Sequence, residues 1–113
     1  QLLLIARSLM EAPDIIILDE ATSGLDLFAR EKLLQQVDHI TELPHAPLVI
    51  YVTHHAEEIT KKMDHILLLK NGGIAAQGKK EDIISQECLS DFYDHQVRII
   101  PIDEERFFIK PEL

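Results

Sequence analysis

Apolar residues in this chain recur with two different periods. Ile15-Ile16-Ile17-Leu18 is an unbroken apolar run, three of its four residues β-branched, and it stops on Asp19-Glu20. Such a run fits a short strand covered on both faces, as in a parallel sheet between helical layers. Leu48-Val49-Ile50-Tyr51-Val52-Thr53 repeats the pattern and stops on His54-His55. His65 to Lys70 is a third strand. Asn71-Gly72 then predicts a tight hairpin turn, with Ile74 to Gln77 returning and Gly78 ending the pair.

Between these runs the spacing is helical. Leu2, Leu3, Ile5, Ala6, Leu9 and Met10 form one stripe over residues 1–12, which Pro13 closes. Ala29, Leu33, Leu34, Val37 and Ile40 predict a helix over 27–43, with Asp26 as its N-cap and Pro44 and Pro47 beyond it. A short helix is expected over 56–63. Its Glu57 and Glu58 each have a Lys four residues on, which reads as a solvated helical face. Small helices are expected over 79–85 and 87–93, and β-like pieces over 97–102 and 106–109.

Alternating strands and helices place the chain in the α/β class, with a layered parallel sheet, flanking helices and a β-hairpin. In open parallel sheets, ligands gather beyond the carboxyl ends of the strands. Asp19 and Glu20 are aimed there. Two adjacent carboxylates at a dry strand end are costly unless their charge is offset. Mg²⁺ is a natural partner for one of them. The other could orient or deprotonate a water. The plainer alternative is that Glu20 or Ser23 merely caps the next helix.

Composition narrows these options. The 113 residues allow one domain, and the net charge of −9 argues against nucleic acid as a direct ligand. A lone Cys88 rules out a disulfide framework within the chain and fits a reducing cytosol. The longest apolar runs, Leu2 to Ala6 and Leu48 to Val52, are five residues each, too short to span a bilayer. No signal-peptide pattern opens the chain. Gln1 begins in mid-pattern, so the start is expected to be internal to a larger domain. Gly24, Gly72, Gly73 and Gly78 cannot make a P-loop or a GxGxxG. A phosphate cradle, if the protein has one, is expected upstream.

Ile15 to Glu20 resembles the Walker B strand of the ATP-binding-cassette (ABC) ATPases, and Ala21-Thr22-Ser23-Gly24-Leu25-Asp26 resembles their D-loop. Thr53-His54 at the end of the next strand is similar to their switch histidine. Residues 1–9, with Ile5-Ala6-Arg7, resemble the helix after the family's signature sequence, and Lys70 to Gly78 its strand-turn-strand. Leu2 and His55 depart from the family's usual basic residue and Asp. The resemblance covers about the first 85 residues and implies the C-terminal half of a nucleotide-binding domain, of P-loop-NTPase type but lacking the Walker A part. It divides the chain into residues 1–89, belonging to that domain, and an extension of unknown role over 90–113.

The resemblance also implies roles. Asp19 would hold Mg²⁺ through water, Glu20 would be the general base, and His54 would touch the γ-phosphate of ATP and align Glu20. Ser23 and Asp26 would lie at the contact with a second nucleotide-binding domain. A membrane-spanning transporter subunit would be the other partner, holding the ATPase at the cytoplasmic face of the membrane, and no direct nucleic-acid contact is expected. Two rival readings remain. One is a non-transport ABC ATPase of DNA repair or translation. The other is a phospho-receiver module using Asp19, Glu20, Thr53 and Lys70, which is weakened because its second strand ends in Thr-His where a receiver carries Asp. A metal site on His55 and Glu58 lacks a second ligand pair.

Overall fold

The computed structural model describes residues 13–113 and divides after His55 into two units. The helix expected over residues 1–12 lies outside the described residues. In the first unit, β1 (Ile15–Asp19) pairs in parallel with β2 (Leu48–Val52), with Ile15 opposite Leu48 and Asp19 opposite Val52. The helix α1 (Leu27–Thr41) connects them. This in-register parallel pairing brings the carboxyl ends of both strands to one end of the sheet.

Alternation along β1 and β2 decides what α1 covers. Ile16 and Leu18, with Val49, face a core that also holds Ala21, Leu25, Leu33 and Ile40. Leu33 is 0% exposed. Burying a leucine this completely stabilises the fold by about 1.5–3 kcal/mol. On the other face Ile17 is 64% exposed and Leu48 61%, and Ile15 and Ile50 are exposed with them. Both strands were expected to be covered on two faces. Among the described residues one helix covers one face of this pair, and none covers the other.

The second unit is built from hairpins. β3 (His65–Lys70) and β4 (Gly73–Lys79) pair antiparallel through Asn71-Gly72. Both turn residues have positive φ, 52° and 77°, which is what a two-residue loop between right-twisted strands requires. The register shifts between Leu68 and Leu69, so Ala75 is the extra residue of a bulge. Two short helices follow, α2 (Lys80–Ile83) and α3 (Gln86–Tyr93). The Ser85 hydroxyl caps α3 by accepting from the Cys88 N–H at 3.1 Å. Asp94 ends α3 in the left-handed region, and its carboxylate takes a 2.6 Å bond from the Lys70 ammonium. The tail forms a second antiparallel hairpin of β5 (Val97–Pro101) and β6 (Phe107–Pro111).

The α/β class therefore holds, with both parallel and antiparallel pairs. One predicted element does not form. Over 56–63 there is only a 3₁₀ turn, Ala56–Glu58. Glu58 is 1% exposed, so the acidic pair is no solvated face. The Thr60 and Lys61 carbonyls accept from the Lys80 ammonium at 3.1 and 3.4 Å, and the Thr60 carbonyl also takes the Met63 N–H in a tight turn at 3.2 Å. Tertiary partners override a weak local preference.

Candidate active site at the strand ends

The site is assembled where β1 and β2 end. Asp19 is the last residue of β1, exposed and opposite Val52. Glu20 follows with φ +51°, in the left-handed region that a non-glycine residue enters at a cost of about 1–2 kcal/mol. Its backbone is pinned on both sides. The Glu20 N–H donates to the Val52 carbonyl at 2.9 Å, and the Glu20 carbonyl accepts from the Ser23 N–H at 3.1 Å. A second turn closes from the Leu25 N–H to the Thr22 carbonyl at 3.0 Å, and Gly24 supplies the positive φ of 79° that this corner needs. Strained backbone held by its surroundings is a feature of functional sites.

His54 comes from the end of β2. Its Nδ1 lies 2.8 Å from Glu20 Oε1. The side chains of His54 and Glu20 are 71% and 49% exposed, so the pair contributes less than about 1 kcal/mol to stability. Its consequence is geometric: one glutamate oxygen is tied to the imidazole, and the second is left to act. The Thr53 hydroxyl accepts from the His55 N–H at 3.0 Å, which turns the chain immediately after β2. The His55 ring lies 4.9 Å from that of His54, tilted by 52°.

Asp19, Glu20 and His54 are thus brought to one end of the first unit, as the sequence pattern anticipated. Ser23 is exposed in the turn. Asp26 is the N-cap of α1, its Oδ1 accepting from the Ala29 N–H at 2.8 Å. That observation replaces the alternative in which Glu20 or Ser23 capped the helix. Sequence reasoning missed the left-handed Glu20 and the Thr53 hydroxyl turn. The Thr-His-His triplet carries a signal for the second, since hydroxyl side chains often bond the N–H two residues on. Lys70, the cation of the receiver reading, is taken by Asp94.

Mg²⁺ typically uses one or two carboxylates together with waters and substrate phosphates. A single exposed carboxylate at a strand end, Asp19, fits that donor set. Among the described residues no cluster of three or more His, Cys, Asp and Glu forms an all-protein metal cage.

Known proteins resemble the chain throughout. An ABC transporter ATP-binding protein of Streptococcus mutans is 73% identical over all 113 residues, which span 44% of that protein. The ABC transporter ATP-binding protein YmeB of Lactococcus lactis is 49% identical over 111 residues, 98% of this chain and 42% of its own. A solved ABC transporter of metal-chelate type, in an inward-facing conformation, superposes with a TM-score of 0.78 at 24% identity, over 97% of this chain and 45% of that one. At that identity the superposition speaks for the fold. No protein-family model matches. The chain belongs to the family of ABC transporter ATP-binding proteins, and it spans less than half the length of the curated relatives it matches.

Proposed function

We propose that the full-length protein containing this chain is the ATP-hydrolysing subunit of an ABC transporter, and that this chain supplies the carboxylates and the imidazole of its hydrolytic site. The observation that carries the reading is the 2.8 Å approach of His54 Nδ1 to Glu20 Oε1 at the ends of two adjacent parallel strands. The ATP-binding relatives support it.

In this reading the Glu20 carboxylate is the general base, accepting a proton from the attacking water. His54 fixes the direction of that carboxylate through Nδ1, which leaves Nε2 as the ring nitrogen able to face the γ-phosphate. Asp19 would hold Mg²⁺, through water, and the cation would supply charge neutralisation at the transferring phosphoryl group. Phosphoryl transfer depends on positioning and electrostatics more than on reactive side chains, so an exposed pair with fixed geometry suffices once the remaining half of the domain covers it. Ser23 and Asp26, in the loop and cap beside Glu20, face a second nucleotide-binding domain. A membrane-spanning subunit couples turnover to transport and holds the protein at the cytoplasmic face of the membrane. No helix among the described residues is long and apolar enough to cross a bilayer by itself. The net charge of −9 makes a nucleic-acid partner the poorer alternative.

Phosphate release from Mg-ATP by the purified full-length protein tests the reading. His54→Ala is expected to bring turnover close to background while ATP binding persists. Undiminished turnover in that variant overturns the assignment.

A further inference from the structure

The His54 main chain is tied down on both sides by residues of the first unit. On the N-terminal side, the Val52 carbonyl accepts the Glu20 N–H at 2.9 Å, where Asp19 and Val52 stand opposite one another in the parallel pair. That bond fixes where β2 ends relative to Glu20. On the C-terminal side, the Thr53 hydroxyl accepts the His55 N–H at 3.0 Å. A hydroxyl that bonds the N–H two residues on closes a tight turn over the residue between them. Here that residue is His54. The same turn sets the start of His55, whose ring lies 4.9 Å from the His54 ring.

The imidazole needs this support. The His54 side chain is 71% exposed, so packing does little to hold it, and water competes for its Nδ1 contact with Glu20. The Thr53 turn restrains the main-chain torsions on either side of the His54 Cα. It thereby sets the direction in which the His54 Cβ leaves the chain. Only two side-chain torsions then remain to bring Nδ1 to Glu20 Oε1. Threonine suits the task, because branching at Cβ stiffens χ1 and presets the hydroxyl.

We propose that Thr53 is a positioning residue for His54: its hydroxyl holds the turn that aims the imidazole at Glu20. It acts on ATP hydrolysis only through His54, and the proposal rests on the reading of Glu20 and His54 as the hydrolytic pair. A displacement of about 1 Å in a positioned group lowers turnover by up to roughly 100-fold.

The test is steady-state ATP hydrolysis by the full-length protein carrying Thr53→Val or Thr53→Ser, with Glu20→Gln as the reference for the site. Val keeps the branched shape and loses the acceptor. It is expected to lower kcat by about 10- to 100-fold, with KM for ATP unchanged. The melting midpoint should also hold, because His55 is exposed and water can take its freed N–H. Ser keeps the hydroxyl and should recover most of the loss. Should Thr53→Val fail to fold, Thr53→Ala carries the same expectation: reduced kcat at unchanged KM supports the proposal, and unchanged kcat overturns it. A fall in kcat that tracks the melting midpoint and that Ser does not relieve overturns it too. Full turnover in Glu20→Gln removes the underlying site reading, and the proposal with it. Lost turnover in Glu20→Gln beside full turnover in Thr53→Val sinks the positioning role alone.

Discussion

Asp26 carries two roles that one pair of substitutions separates. Its Oδ1 caps α1 by accepting the Ala29 N–H at 2.8 Å, and its carboxylate is proposed to face a second nucleotide-binding domain. Asp26→Ala removes the cap and the charge. Losing an N-cap costs about 1 kcal/mol, within a range of about 0.5–2. In a protein of roughly 150–250 residues that lowers the melting midpoint by about 2–4 °C per kcal/mol. Asp26→Asn keeps an equally good cap and loses only the attraction between carboxylate and helix dipole, about 0.3 kcal/mol at an exposed helix start. Thermal and urea melts of the full-length protein read the first role, and ATP turnover the second. Asn should be less than half as destabilising as Ala, yet both should lower turnover alike. Equal destabilisation by Asn and Ala would refute the cap. Full turnover in Asp26→Asn would refute a charged contact with the partner domain.

Leu33→Ala removes a wholly buried side chain from a small core and is expected to cost about 2–5 kcal/mol. An unfolding free energy from denaturant melts within about 0.5 kcal/mol of wild type, the size of a surface change, would contradict that core. Below pH 4 the tail hairpin should weaken. The Asp103 carboxyl is held below its ordinary value of 3.8 by the N–H groups of Glu105 and Arg106. A depressed acid gives stability that is complete above its unfolded pKa and is lost as pH falls through the folded one. Hydrogen exchange of the residue 102–107 amides between pH 5 and pH 2.5 reads the effect, and Asp103→Asn should flatten it. The 113-residue chain alone should release no phosphate from ATP, since its four glycines make no phosphate cradle; measurable turnover would show a site complete without the rest of the domain.

The parts of the fold that were legible from the residues are those set locally. Asp26 as N-cap, the apolar side of α1 and the Asn71-Gly72 turn each follow from side chains within a few positions of one another. The meeting of Glu20 and His54 was legible one step further, because two apolar runs, each ending on polar residues, pair in parallel with their ends together. Burial on both faces of β1 was misjudged. The unbroken isoleucine run reflects an environment that the described part of the chain covers on one side only. The 56–63 segment was misread because its Glu and Lys spacing suits a helix, whereas a buried Glu58 and the Lys80 ammonium settle it as a turn. The hydrogen bond from the Arg106 guanidinium to the Glu57 carbonyl joins residues 49 apart, and no local pattern encodes it.

Replacing Glu20 by Gln in the full-length protein tests the site most directly. The amide keeps the size of the side chain but cannot accept the water's proton. Equilibrium binding of Mg-ATP should persist while single-turnover phosphate release falls to background. Hydrolysis at the unsubstituted rate, with His54 and Asp19 intact, would contradict the assignment of Glu20 as the base.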